Sequence, residues 1–586
     1  MSHTQPVTVW APRATQVEVE TAGRRLSMRA TTAGWWTLPQ GLPIGTDYAF
    51  VVDSAGPFPD PRSAYQPEGV HGPSRLIDTD FTWTDQQWAG IDIRGQVIYE
   101  LHVGTFTPTG TLDSAIDRLD HLVELGIDVV QLMPLAAFDG DRGWGYDGVA
   151  LYAVHRAYGG PAALQRFVDA AHARGMGVAL DVVYNHLGPS GNYLAQFGPY
   201  FTDAHQTPWG AAVNLDQDGS PQVRAFIIDN ALRWFRDFHV DALRLDAVHE
   251  LRDTSPTHLL AELAQATATL ATDLGRPLSL IAESDLNDVA MVTPTSAGGW
   301  GMTAQWDDDV HHAIHAFLTG EHHGYYCDFG SMQTLVAALR QVFIHNGVFS
   351  SFRGKVWGAP VPDSVDRHQF VVSTSTHDQV GNRGLGDRPP LSLSPGQGAI
   401  AATLLLTTTF TPMLFMGEEW AARTPFQFFT DFADPDLAQA VRQGRAREFG
   451  EHGWDQIYGT GNRAPDPQDE TTFAQSRLDW AEADQPIQAR HLAWVRTLLA
   501  LRRLQPDLRR GDAASMSISF DADQGWMVLH RGVVEVLINT SSTPTRVPLP
   551  DGCARVVLAS WSVPAEPVTS PAITLPGHDV LILGRG

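Results

Sequence analysis

Only two cysteines, Cys327 and Cys553, stand in 586 residues. They are too few and too far apart for a disulfide framework or a cysteine metal site, so reduced thiols in a cytoplasm are expected. No run of lysine or arginine interrupts a formal charge of −26. Such a surface repels phosphate backbones and anionic membranes, which excludes nucleic acid and lipid surfaces as expected partners. The opening MSHTQPVTVWAPRA lacks the basic-then-apolar order of a secretory signal, and no stretch approaches the about 20 consecutive apolar residues of a membrane span. No internal repeat of fixed period is visible.

What is present is material for buried cores: 43% of residues are hydrophobic and 18% charged, a globular balance, and the length implies several domains. From Val7 to about Asp80 short alternating runs (VTVWAP, VEVE, WWTLP, YAFVVD) are separated by turn residues such as Ala22-Gly23 and Gly41-Leu42-Pro43, the pattern of a small β-sandwich. Phe58-Pro59-Asp60-Pro61-Arg62 reads as a bridge, and a new pattern begins after Trp88.

Eight apolar runs then recur, starting at Val97, Val129, Gly177, Asp241, Leu278, Met302, Phe370 and Pro412, several followed by an amphipathic helical stretch. Continuous apolar runs mark parallel strands buried on both faces. Eight of them make an α/β fold, a (β/α)₈ TIM barrel, the economical solution. From Arg490 a helical segment leads into short β-runs. The expected domains are an immunoglobulin-like β-sandwich over 1–88, the barrel over 89–489 and a C-terminal all-β sandwich over 490–586.

Functional groups of such barrels gather at the C-terminal ends of the strands. The third run ends in Asp181 and Asn185-His186, the fourth in Arg244 and Asp246 with His249 beyond, the fifth in Glu283, the seventh in His377-Asp378. A lone strand-end carboxylate is more often a solvated terminus or helix cap than a catalytic group; convergence from four strands shifts that balance. Arg244 and Asp246, two apart, share one face of their strand, and a charged pair facing a barrel interior requires a partner or a function.

Four segments, DVVYNH (181–186), ALRLDAVH (242–249), AES (282–284) and STHDQVGN (375–382), resemble in order and spacing the four conserved regions of the α-amylase superfamily. The resemblance implies a retaining glycoside hydrolase with Asp246 as nucleophile, Glu283 as general acid/base and Asp378 as their electrostatic partner on the sugar hydroxyls. It also implies that Arg244 orients the nucleophile and that His186 and His377 hydrogen-bond the sugar being cleaved. WGYDGVALY, from Trp144, resembles the segment supplying an aromatic platform, Tyr146, and an acidic contact, Asp147, here paired with Arg383. Two carboxyls in these roles lie about 5 to 5.5 Å apart in retaining enzymes.

The loop after His186 holds no dense cluster of Asp and Asn, so neither a required metal nor a cofactor is expected. A sandwich ahead of the barrel resembles the branching, debranching and trehalose-releasing members. THDQVGNR, LFMGEEW (414–420), TPFQFFTDF (424–432) and GRAREFGEHGW (444–454) resemble the trehalose-releasing group. These enzymes cut the α-1,4 bond beside the terminal trehalose of maltooligosyltrehalose, giving trehalose and a malto-oligosaccharide. Their functional link is to the synthase that makes maltooligosyltrehalose. Branching enzymes are the near alternative. They share YELHVGTF (99–106) and WGYDG (144–148) but usually carry an acidic residue after the His-Asp pair, where Gln379 stands. A non-catalytic glucan-binding barrel is the third reading. On the trehalose reading His249 and Gln379 border the substrate. Glu418, Glu419, Trp420 and the segment Arg445–Phe449, including Arg447 and Glu448, frame the leaving-group side.

Overall fold

The eight apolar runs close into one parallel barrel in the computed structural model, which describes residues 4–451, 457–458, 463–549, 555–562, 568 and 570–585. Its strands are β1 (Ile98–Leu101), β2 (Val129–Leu132), β3 (Gly177–Val182), β4 (Ala242–Leu245), β5 (Ser279–Ala282), β6 (Ala304–Trp306), β7 (Phe370–Ser373) and β8 (Thr411–Phe415). β1 pairs with β2 and, closing the ring, with β8. Every residue of these strands is buried, which accounts for runs without polar alternation: one face fills the barrel and the other packs under helices.

The strand period of two then builds the site. Ile98, Val129, Ala179, Ala242, Ile281, Ala304, Val371 and Met413 belong to one apolar cluster. Two residues further along five of these strands, on the same face, stand Glu100, Gln131, Asp181, Arg244 and Glu283. An apolar plug thus carries a polar layer at its C-terminal mouth.

Ahead of the barrel, Asp47–Val52 lies between Ser74–Arg75 and Val17–Thr21 in a five-stranded sheet, beside a three-stranded sheet of Thr8–Trp10, Trp35–Thr37 and Arg29–Ala30. This unit touches the wall of the barrel mouth. Trp10 meets Tyr200 edge-on at 5.3 Å, and Arg62 bonds the Tyr152 hydroxyl at 2.8 Å and Asp229 at 2.9 Å. At the other end a five-stranded sheet runs in the order 517–521, 526–531, 534–539, 579–585, 555–560. The helix Pro486–Leu504 spans the boundary expected at 489/490. It packs on the barrel helix Pro395–Thr407, with the Trp494 indole donating to the Ala399 carbonyl at 3.2 Å and Arg502 donating to the carbonyls of Leu406, Thr408 and Phe410. Cys553 and the end of the 444–454 motif, from His452, lie outside the described residues.

Candidate active site

Arg244 organises the mouth. Its side chain is fully buried, and one nitrogen donates to Asp181 at 2.9 Å and to Asp246 at 2.9 Å while the other meets Glu283 at 3.0 Å. The guanidinium plane rests on the Trp306 ring, 4.3 Å from its centroid. Asp246, at the end of β4, also accepts from the Asn185 amide at 2.9 Å. The residue after it, Ala247, takes a left-handed conformation, φ 35°, uncommon for a residue with a Cβ. That turn aims the Ala247 N–H at Glu283, 2.6 Å from its carboxylate. Two carboxylates from neighbouring strands are therefore held by one cation and keep part of their surface open, 11% for Asp246 and 22% for Glu283.

Their surroundings differ in consequence. Burial drives the Glu283 carboxyl well above the usual carboxylate range; Arg244 opposes the shift, and the charges of Asp246 and Asp378 reinforce it. The shift favours the protonated form of Glu283. Burial likewise lifts Asp181 to about 7 against the pull of Arg244. Asp378 lies in the first turn of a short helix, His377–Gly381, whose N-cap Thr376 receives the Asp378 N–H at 3.2 Å.

The remaining residues in and around the site separate into three groups. At the mouth, the Tyr146 hydroxyl donates to Asp181 at 2.7 Å and stands 2.7 Å from His377 Nε2. His186 is bonded to the Tyr146 carbonyl at 3.0 Å, and burial lowers its pKa. Gln379 donates to Asp308 at 3.2 Å, His249 lies 4.0 Å from Asp285, and Glu448 lines a cavity with Tyr325, Asn382 and Arg445.

The second group needs correction. Asp147 does not pair with Arg383: the guanidinium is bonded to Glu321 at 2.8 and 2.9 Å and to Asp387 at 3.0 Å, and burial alone raises Asp147 to about 6. Glu419 and Trp420 do not frame the cleft. The Glu419 carboxylate is 0% exposed between the Tyr99 hydroxyl at 3.0 Å and His121 at 3.0 Å, and Trp420 packs on Trp480. Glu418 is turned inward too, accepting the Phe415 N–H at 2.9 Å and the Thr374 hydroxyl. Arg447 is exposed.

The third group went unread in the sequence. Trp209, on the hairpin Phe201–Val213, is half exposed and stacks on His186 with centroids 4.1 Å apart and planes within 9°. Asp308, after β6, is exposed, yet desolvation within the mouth and the charges of Asp378, Asp309 and Asp285 raise its carboxyl to about 7. Glu100 of β1 is fully buried and bonded to His377 Nδ1 at 2.8 Å. A lone Trp in a polar loop and one acid inside WDDD give no periodic signal. The acid of IYEL did break an apolar strand, and that interruption was the available clue.

The α-amylase catalytic domain family matches residues 73–206. A malto-oligosyltrehalose trehalohydrolase of Arthrobacter ramosus is 52% identical over 546 residues, 92% of this chain and 93% of that one. The enzyme of the same name from Mycobacterium tuberculosis is 49% identical over 95% of each chain. Among solved structures, a putative α-amylase from Salmonella typhimurium superposes with a TM-score of 0.88 at 37% identity, covering 99% of this chain and 97% of that chain.

Proposed function

The chain belongs to the malto-oligosyltrehalose trehalohydrolase family, and from that premise we propose that it hydrolyses the α-1,4-glucosidic bond beside the terminal trehalose of maltooligosyltrehalose with net retention, releasing trehalose and a malto-oligosaccharide. The observation that carries the mechanism is the shared cation: Arg244 ion-paired with both Asp246 and Glu283. Asp246, oriented by Arg244 and Asn185, attacks the anomeric carbon as the bond to the leaving oxygen breaks. Glu283, kept protonated by burial, gives its proton to that oxygen. The resulting glycosyl-enzyme ester is hydrolysed when the Glu283 carboxylate takes a proton from water, and the retained configuration follows from two inversions. Asp378, beside His377, binds hydroxyls of the reacting sugar.

The proton donor faces the leaving group, so the loop that follows it borders the trehalose. There Asp285 meets Arg353 at 3.3 Å, its carbonyl accepts from the Trp357 indole at 2.7 Å, and His249 stands opposite. These groups present charge and hydrogen-bonding capacity to a polyhydroxylated leaving group. A cytoplasmic site of action suits the two dispersed cysteines, and among the described residues no helix is long and apolar enough to cross a membrane. The substrate would come from the synthase that builds maltooligosyltrehalose.

Incubation with maltooligosyltrehalose, with sugars separated by chromatography and anomers followed by proton NMR, tests the proposal. Free trehalose and a malto-oligosaccharide that appears first as its α-anomer are expected. A β-anomer appearing first overturns retention. New α-1,6 branches from amylose identify a branching enzyme, and binding without turnover identifies a non-catalytic barrel.

A further inference from the structure

We propose that Glu100 is a positioning residue for the reaction: from the centre of β1 it holds His377 as a cation, oriented toward Tyr146 and Asp378. The inference rests on the glycoside chemistry argued above and deepens it.

Glu100 has no exposed surface, and a buried carboxylate persists only with charged or hydrogen-bonding partners. Its partners converge on one residue. Glu100 Oε1 accepts from His377 Nδ1 at 2.8 Å and Oε2 from the His377 backbone N–H at 3.1 Å, and Gln131 donates to Oε1 at 3.3 Å. Counting protons around the imidazole then fixes its state. An ionised Glu100 only accepts, so Nδ1 carries a proton. On the other edge Nε2 is 2.7 Å from the Tyr146 hydroxyl, whose single proton goes to Asp181 at 2.7 Å once that carboxyl, lifted to about 7, is ionised. That hydroxyl is left to accept, so Nε2 carries a proton as well.

The groups facing His377 are Glu100 and His102 from the β1 side, the Tyr146 loop, Asp181 of β3, Arg244 of β4 and its own neighbour Asp378, whose carboxylate is 3.4 Å from Nε2. The Trp144 and Trp306 rings also border it. Burial works to discharge the imidazole and Arg244 adds to that. Glu100 first, then Asp378, override both and lift it to about 9. A cation there anchors the Asp378 carboxylate and keeps the Tyr146 proton directed at Asp181, fixing two groups of the reacting subsite.

Glu100→Gln keeps the shape and removes the charge. The expected result is a kcat lower by about 10- to 100-fold, a KM changed by less than about threefold, and a His377 ring titration moved at least about one pH unit downward. Glu100→Asp should recover part of both effects. Loss of rate with an unmoved His377 titration means that Glu100 is purely structural and overturns the proposal. The ring of His377 in the unsubstituted enzyme, followed by NMR with labelled histidine and assigned through His377→Asn, should titrate near 9. A midpoint below about 7 overturns the proposal even if Glu100→Gln fails to fold. That titration needs no substrate, so its failure is distinguishable from failure of the trehalose assignment.

Discussion

Asp246 and Glu283 at the ends of β4 and β5 share Arg244 and leave 11% and 22% of their side chains open, whereas Glu419 beyond β8 is 0% exposed between Tyr99 and His121. All three are carboxylates just past a barrel strand, and in sequence they look alike. Their partners separate them. The Glu419 oxygens are consumed by a hydroxyl and an imidazole behind the barrel wall, so the group pins β1 to the segment after β8. Glu283 receives a backbone N–H and one edge of a guanidinium and keeps room for a reacting oxygen. A carboxylate retained for chemistry is left partly unsatisfied on one side, and one retained for structure is not.

The strongest way to break this contrast is at Glu283. Glu283→Gln removes a transferable proton while preserving shape, and kcat on maltooligosyltrehalose should fall by about 10²- to 10⁴-fold with little change in Tm. The pH profile gives the same test a sign. Only protonated Glu283 donates, and burial raises its pKa. Activity therefore persists below the raised value and falls as pH climbs through it. A rate that rises over that interval would mean that Glu283 works as a carboxylate from the start.

At the β8 end the expected effect is on stability. Glu419→Gln keeps an acceptor for Tyr99 but loses the charge facing His121, at a cost of about 1 to 3 kcal/mol, read as a Tm lowered by several degrees. At a temperature where the variant is folded, kcat/KM should stay within about twofold on both maltooligosyltrehalose and plain malto-oligosaccharide. A loss confined to the trehalose substrate would return Glu419 to the cleft.

These two sites also show what the sequence could convey. The eight strands, the Asp181–Arg244–Asp246 face and the Glu283 strand end follow from apolar runs and a period of two, because both are local properties of a chain. Which way a residue turns after a strand is not local. Glu418, Glu419 and Trp420 follow β8 as Asp246 follows β4, yet they enter a 3₁₀ turn that carries them into the core, and the deciding partners, Tyr99 and His121, are some 300 residues away. The same holds for Arg383, whose partner Glu321 is supplied by the segment after β6 and not by the loop of Asp147. Trp209 reached the site through a hairpin that composition alone does not place.

The smallest effect belongs to a pair on one helix, Pro435–Glu451. Residues three and four apart share a helix face, and Arg445, Glu448 and Phe449 do so. Arg445 donates to the carbonyls of Gly381 and Arg383 at 2.8 and 3.0 Å, Glu448 lines the cavity beside Asn382, and Phe449 is buried. Arg447 falls off that face and is exposed. Arg447→Ala should shift stability by no more than about 0.5 kcal/mol and leave kcat/KM within about twofold. Glu448→Ala, removing a carboxylate from the cavity wall, should raise KM for maltooligosyltrehalose several-fold more than Arg447→Ala does. Equal effects at the two positions would place that face of the helix outside the substrate's reach, and a larger effect at Arg447 would require the helix to present its other side to the cleft.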